Sequence, residues 1–170
     1  MLKLNTNRFS LTGLAAFLII AGVVIRKNLS VIENEHRMKI GTALFTCGWA
    51  LFVYSMNLGS NGINPYAILP AAAVIFSSLK IEDHIKEGSE IPSYWTILFS
   101  VAWLSIGIYI VNKRRLVGPS AIAGYFGPVL ILISLLWSLE REQDKGLLDS
   151  PGSYLFNTAW FLITVTNSMN

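Results

Sequence analysis

Leu44-Phe45-Thr46-Cys47-Gly48-Trp49 is repeated as Leu98-Phe99-Ser100-Val101-Ala102-Trp103, and again as Leu155-Phe156-Asn157-Thr158-Ala159-Trp160. The shared pattern, L-F-x-x-[G/A]-W, takes three of the five tryptophans and recurs at spacings of 54 and 57 residues. Each copy lies inside an apolar run that carries no charge. On a helix the Phe, the small residue and the Trp fall at i, i+3 and i+4 and so share one face. A small residue beside a large aromatic lets a neighbouring helix come close while the indole packs over it. The motif residues Leu44, Phe45, Gly48, Trp49, Leu98, Phe99, Ala102, Trp103, Leu155, Phe156, Ala159 and Trp160 are therefore read as a helix-packing set. A period of this length defines the unit from which a chain is built. Here the unit is a pair of helices; the competing explanation is coincidence in a chain rich in Leu, Phe and Trp.

Composition places those helices in lipid. Hydrophobic residues make up 53% of the 170 residues, charged residues only 14%, and mean hydropathy is +0.53. Soluble domains carry about 25% charge. The apolar runs predict six membrane spans, at 9–25, 40–57, 65–79, 93–111, 119–139 and 151–166, in one membrane domain covering 1–170. The first run resembles a signal-peptide core, but Arg26-Lys27 stands where small cleavage-site residues belong, so it is expected to be retained. Four spans begin at or just after Pro65, Pro92, Pro119 and Pro151, where a proline presets φ and forfeits no needed hydrogen bond. Because lipid offers the backbone no partners, the class is an all-α membrane bundle.

The repeat extends into the preceding helices. Ser78, Leu79 and Glu82 match Ser138, Leu139 and Glu142, and Pro70 and Pro128 lie mid-helix in equivalent spans. A two-helix unit keeps its orientation from copy to copy, which predicts tandem parallel repeats with both termini on one side. That side carries Lys3, Arg8, Lys113, Arg114 and Arg115 and no acid; the three longer loops carry the other eight Lys/Arg and all ten acids. Counting Lys/Arg alone puts the long loops inside. Net charge favours the termini inside, and the two measures leave orientation open.

Few residues suggest chemistry. Cys47, the only cysteine, excludes an internal disulfide and reads as a small packing residue. Ser30-x-x-Glu33 has the form of a capping box. Glu33-x-x-His36 has di-iron spacing, but the second loop offers only Glu82-x-His84 and His84-x-x-Glu87. The simpler reading is a solvated surface helix, with no metal and no cofactor. No Asp, Glu, Lys, Arg or His lies inside a predicted span, which argues against ion-coupled transport and intramembrane hydrolysis. The basic residues form no long run and are split between two faces, which argues against nucleic acid. Mid-helix prolines in matching repeat positions can mark a substrate site. Pro70 and Pro128, with Ser134, Asn157 and Thr158 as polar lining, form that alternative.

In composition and general architecture the chain resembles small multi-pass membrane proteins of large icosahedral DNA viruses, some of which are minor capsid or inner-membrane components. The resemblance implies a structural role in a virion and assigns no residue. The expectation is thus a non-enzymatic, structural multi-pass subunit that organises a larger assembly at a membrane. Its partners would be the bilayer, other protein subunits and, as an open alternative, further copies of itself. Glu82, Asp83, Glu140 and Glu142 would serve partner docking. The competing function is a small uncoupled transporter or channel near the prolines.

Overall fold

A computed structural model describes residues 4–28, 34–60, 62, 64–141 and 151–169. The described residues form six helices: α1 (Thr6–Asn28), α2 (Asn34–Asn57), α3 (Pro65–Glu87), α4 (Ser93–Arg114), α5 (Pro119–Arg141) and α6 (Pro151–Ser168). Helices α3, α5 and α6 begin on a proline, and α4 begins directly after Pro92.

The helices stand side by side in chain order, and α6 closes the ring against α1. Close approach needs small residues where backbones meet. A side chain on Gly48 of α2 would put its Cβ 2.7 Å from Ile19 Cγ1 and 2.9 Å from the Ala15 carbonyl oxygen, both on α1. The two ends of the chain meet: Leu4 pairs with Met169, and the Asn5 amide donates to the Ser168 carbonyl at 2.8 Å.

Among the described residues, four helices are long and apolar enough to cross a membrane: Thr6–Arg26, Pro65–Glu87, Ser93–Arg114 and Pro119–Trp137. Their outward faces carry large apolar side chains, among them Phe17, Leu69, Ile97 and Ile122, which suits lipid rather than water. Helix α2 is diluted by Thr42, Thr46, Gly48 and Asn57. Helix α6 has 18 residues, a rise of about 27 Å, against a hydrocarbon core of about 30 Å. It also carries two asparagines and three threonines.

Several elements run beyond their expected limits. Helix α3 was expected to stop at 79 with Pro70 interrupting it, yet it continues unbroken through Pro70 to Glu87. Its charged final turns favour helix through the Lys80–Asp83 and Glu82–Lys86 pairs, spaced i,i+3 and i,i+4. Gly88, at φ 63°, then ends it. Side chains close the passage from α2 to α3. The Asn57 side chain accepts from the Asn64 amide at 2.8 Å, and Asn64 caps α3 by accepting from the Tyr66 amide at 3.0 Å.

Candidate functional site: an aromatic centre and a basic end

The three repeated tryptophans meet in the middle of the bundle. The centroid distances are 5.5 Å for Trp49–Trp103, 6.1 Å for Trp49–Trp160 and 5.5 Å for Trp103–Trp160. Their planes are steeply inclined, the edge-to-face relationship that ring quadrupoles favour. Within each motif the Phe stands in the same relation to its Trp, at 6.3, 6.4 and 6.4 Å. Phe52 adds a fourth contact, 5.3 Å from Trp160. All three indoles are buried, and among the described residues their N–H groups have no hydrogen-bond partner. They therefore act as volume rather than as donors.

The other motif residues follow the same register. Phe45, Gly48, Phe99, Ala102 and Ala159 are buried, Leu44, Leu155 and Phe156 half-buried, and Leu98 lies at the outer edge. Cys47 does not pack: it is exposed on the outward face of α2.

Towards the chain termini the aromatic centre gives way to a polar cluster that the sequence reading did not find. Asn167, fully buried, donates from Nδ2 to Thr12 Oγ1 at 3.0 Å and to Ser55 Oγ at 3.2 Å. Its Oδ1 accepts from Arg114 Nη2 at 3.0 Å and from Arg114 Nε at 3.3 Å. Arg114 Nη2 also donates to the Met56 carbonyl at 2.9 Å and the Ser55 carbonyl at 3.3 Å, at the C-terminal end of α2. That is where orphan carbonyls and the helix dipole favour a cation. Alignment on the tryptophans does not bring these residues into register, since Ser55 follows Trp49 by six residues and Asn167 follows Trp160 by seven.

Arg114 also lines an open pocket of about 500 Å³ with Arg8, Lys113, Arg115, Leu58, Gly59, Asn112 and Met169. Arg8 Nη1 donates to the Met169 carbonyl at 3.3 Å, and Lys113 Nζ donates to Ser60 Oγ at 2.5 Å. Among the described residues no acidic side chain lies at this end.

At the opposite end Glu82 turns inward. Its Oε2 lies 2.7 Å from Nη2 of buried Arg26, and its Oε1 lies 2.7 Å from Lys86 Nζ. Asp83 is more open and pairs with Lys80 at 3.3 Å. The Glu140 side chain, Glu142, Ser30 and Glu33 lie outside the described residues, so the capping-box and Glu33-x-x-His36 readings do as well. Among the described residues no three His, Cys, Asp or Glu gather as metal ligands would.

The proline region does not assemble. Pro128 is buried with its ring against Gly107 of α4, Ser134 donates to the Gly152 carbonyl at 2.7 Å, and Asn157 and Thr158 face outward. Helix α3 packs chiefly on α4, and α5 chiefly on α6, so Pro70 and Pro128 sit in different helix pairs.

No protein-family model matches the chain, and no curated protein or solved structure is significantly similar to it.

Proposed function

We propose that the chain is a structural multi-pass membrane subunit that anchors or organises a larger assembly, in the manner of the membrane components of icosahedral virus particles. All six helices cross the bilayer as three tandem, parallel pairs. The observation that carries this reading is the filled centre: the place a translocation path would occupy holds Trp49, Trp103, Trp160 and Phe52 in mutual contact. Three inner helices held apart by an aromatic plug make a rigid post, not a conduit.

Helices α2 and α6 join the spans although Thr42, Thr46, Asn157 and Thr158 face outward, because the polar groups nearer the chain termini are spent inside the protein. Thr164 and Thr166 donate to the Trp160 and Leu162 carbonyls of their own helix at 2.8 Å, and Asn167 makes four hydrogen bonds with three side chains, Arg114, Thr12 and Ser55, at the bundle's polar end. The matched Phe–Trp geometry of the three motifs supports the repeat. Protein partners engage the long-loop end, where mixed charge is exposed around Asp83 and Lys80.

The test is the mass and composition of the particle extracted in mild detergent from its native source. A stoichiometric assembly with other proteins is expected. A clean monomer or small homo-oligomer would overturn the reading and bring forward flux assays on liposomes with Pro70 and Pro128 variants.

A further inference from the structure

We propose that the outward face of α6 docks on the outward face of α2 of a second copy of this chain, with the Asn157 amide donating to the Thr46 hydroxyl across the contact. The proposal rests on the reading in which α2 and α6 cross the bilayer, and it deepens that reading by naming one neighbour of the subunit.

The three motif helices can be compared position by position, counting from the tryptophan. Six residues before it, three before it and one after it stand Ala43, Thr46 and Ala50 on α2, Ile97, Ser100 and Leu104 on α4, and Tyr154, Asn157 and Phe161 on α6. All except half-buried Ser100 are exposed. The α4 face suits acyl chains: it is apolar, and Ser100 donates to the Thr96 carbonyl of its own helix at 2.7 Å. The α6 face does not. Among the described residues the side chains of Asn157, Thr158 and Thr46 make no hydrogen bond. In a single copy the Asn157 amide would meet acyl chains, where an unsatisfied polar group is costly. Amides and hydroxyls in such places find their partners on other helices.

The two faces are complementary. Tyr154 and Phe161, 64% and 62% exposed, protrude on either side of Asn157. At the same two positions α2 has alanine, and its face is hollowed into an open pocket of about 610 Å³ lined by Met38, Lys39, Thr42, Ala43, Thr46 and Cys47. Rings then lie over small residues, and the amide lies over hydroxyls. Pairing α2 with α2 would set hollow against hollow, and pairing α6 with α6 would set ring against ring. The levels agree as well. Trp49 touches Trp160 and Ser55 meets Asn167 at one end of the bundle, so α2 and α6 run the same way at the same height. Two copies inserted in one sense bring Asn157 level with Thr46 without a shift along the helices. Because the two faces differ, the contact is heterologous and continues from copy to copy into a ring or a row.

The experiment uses two full-length chains with different tags, co-expressed and reconstituted in sealed liposomes. One keeps Cys47; the other is Cys47→Ser with Thr158→Cys, the matching motif position on α6. Oxidation with copper phenanthroline should link chains carrying the two different tags. Val101→Cys in place of Thr158→Cys, the matching position on α4, should give no link. Links only between chains of one kind, an equal yield from Val101→Cys, or no link at all would overturn the proposal. An impermeant maleimide added to the same liposomes separates the two ways of failing. Labelled Cys47 puts α2 in water and removes the span and the contact together; Cys47 neither labelled nor linked removes the contact alone. Asn157→Leu should weaken self-association in mixed micelles roughly tenfold, the effect of losing one interhelical hydrogen bond, and Asn157→Gln should restore it. Asn157 is exposed in the single copy, so the melting temperature of the dissociated chain should not fall in Asn157→Leu. Wild-type association in Asn157→Leu would overturn the contact as drawn.

Discussion

Arg114 and Asn167, 53 residues apart in sequence, share one oxygen: Asn167 Oδ1 accepts from both Nε and Nη2 of the guanidinium at 3.3 and 3.0 Å. Through its Nδ2 the same amide reaches Thr12 and Ser55, so one side chain ties α1, α2, α4 and α6 together. Replacing Asn167 by Ala leaves a buried charge and two hydroxyls short of a partner, which should cost about 2 kcal/mol. Removing the charge as well, in Asn167→Ala with Arg114→Met, should cost less than the two single changes added together, by about 1 kcal/mol. Reversible unfolding in mixed micelles measures the cycle. Strict additivity would mean that the two residues are neighbours without being coupled.

The tryptophan triangle makes a prediction about equivalence. Trp49, Trp103 and Trp160 are each 2% exposed, and each stands in the same relation to its own Phe. Truncating any one to Ala should cost about 3–5 kcal/mol, and the three values should cluster. Because none of the indole N–H groups has a hydrogen-bond partner among the described residues, Trp→Phe should cost less than half as much. A single dominant tryptophan in the unfolding data would argue against three equivalent helix pairs.

Gly48 separates packing by contact from packing by shape. Gly48→Ala puts a methyl against Ile19 and the Ala15 carbonyl, at a close approach of α1 and α2. Overpacking of this kind typically costs about 1–3 kcal/mol. The reverse change, Ala159→Gly in the third motif, opens space instead and should cost about 1 kcal/mol. Thermal melts of the two variants in one detergent compare them directly. If Gly48→Ala melts with the wild type, the helices are free to move apart.

How much of this was readable beforehand depends on the range of the interaction. The motif spacing placed the three tryptophans on one helical face each, and Thr158, two residues before Trp160, belongs by geometry to the other side of α6. Reading Thr158 as pathway lining ignored that spacing. The prolines marked helix starts because their effect is local. The Asn167–Arg114 contact was not readable, since an arginine at the end of an apolar run looks the same whether it snorkels to water or turns inward. Glu82 was misleading for the same reason: its local sequence resembles a solvated loop, and only Arg26, from another helix, draws it in.

Glu82 and Asp83 consequently predict different outcomes. Glu82→Gln leaves buried Arg26 without its anion and should destabilise the fold by about 1–3 kcal/mol. Asp83→Asn breaks a pair of which both members are about half exposed, and should shift stability by less than about 1 kcal/mol. Partner association measured by co-purification can therefore be attributed to docking in Asp83→Asn, whereas loss in Glu82→Gln has to be read beside its melting temperature. Equal melting temperatures for the two variants would contradict an internal role for Glu82.

Cys47 can decide whether α2 is a span. It is the chain's only cysteine and lies exposed on the outward face, close to the middle of the helix. If α2 crosses the bilayer beside α1 and α3, that face meets acyl chains, where no water is present to carry a charged reagent. A membrane-impermeant maleimide should then leave Cys47 unmodified when added to either side of sealed proteoliposomes, and should modify it after denaturation in detergent. Leu2→Cys on a Cys47→Ser background supplies an end-of-chain thiol that reports whether the reagent reached each side. Rapid labelling of Cys47 in intact vesicles would place α2 in water and reduce the number of spans, whereas protection from both sides would support a bundle in which the least apolar helices also cross the membrane, with Ser55 and Asn167 satisfied by their neighbours.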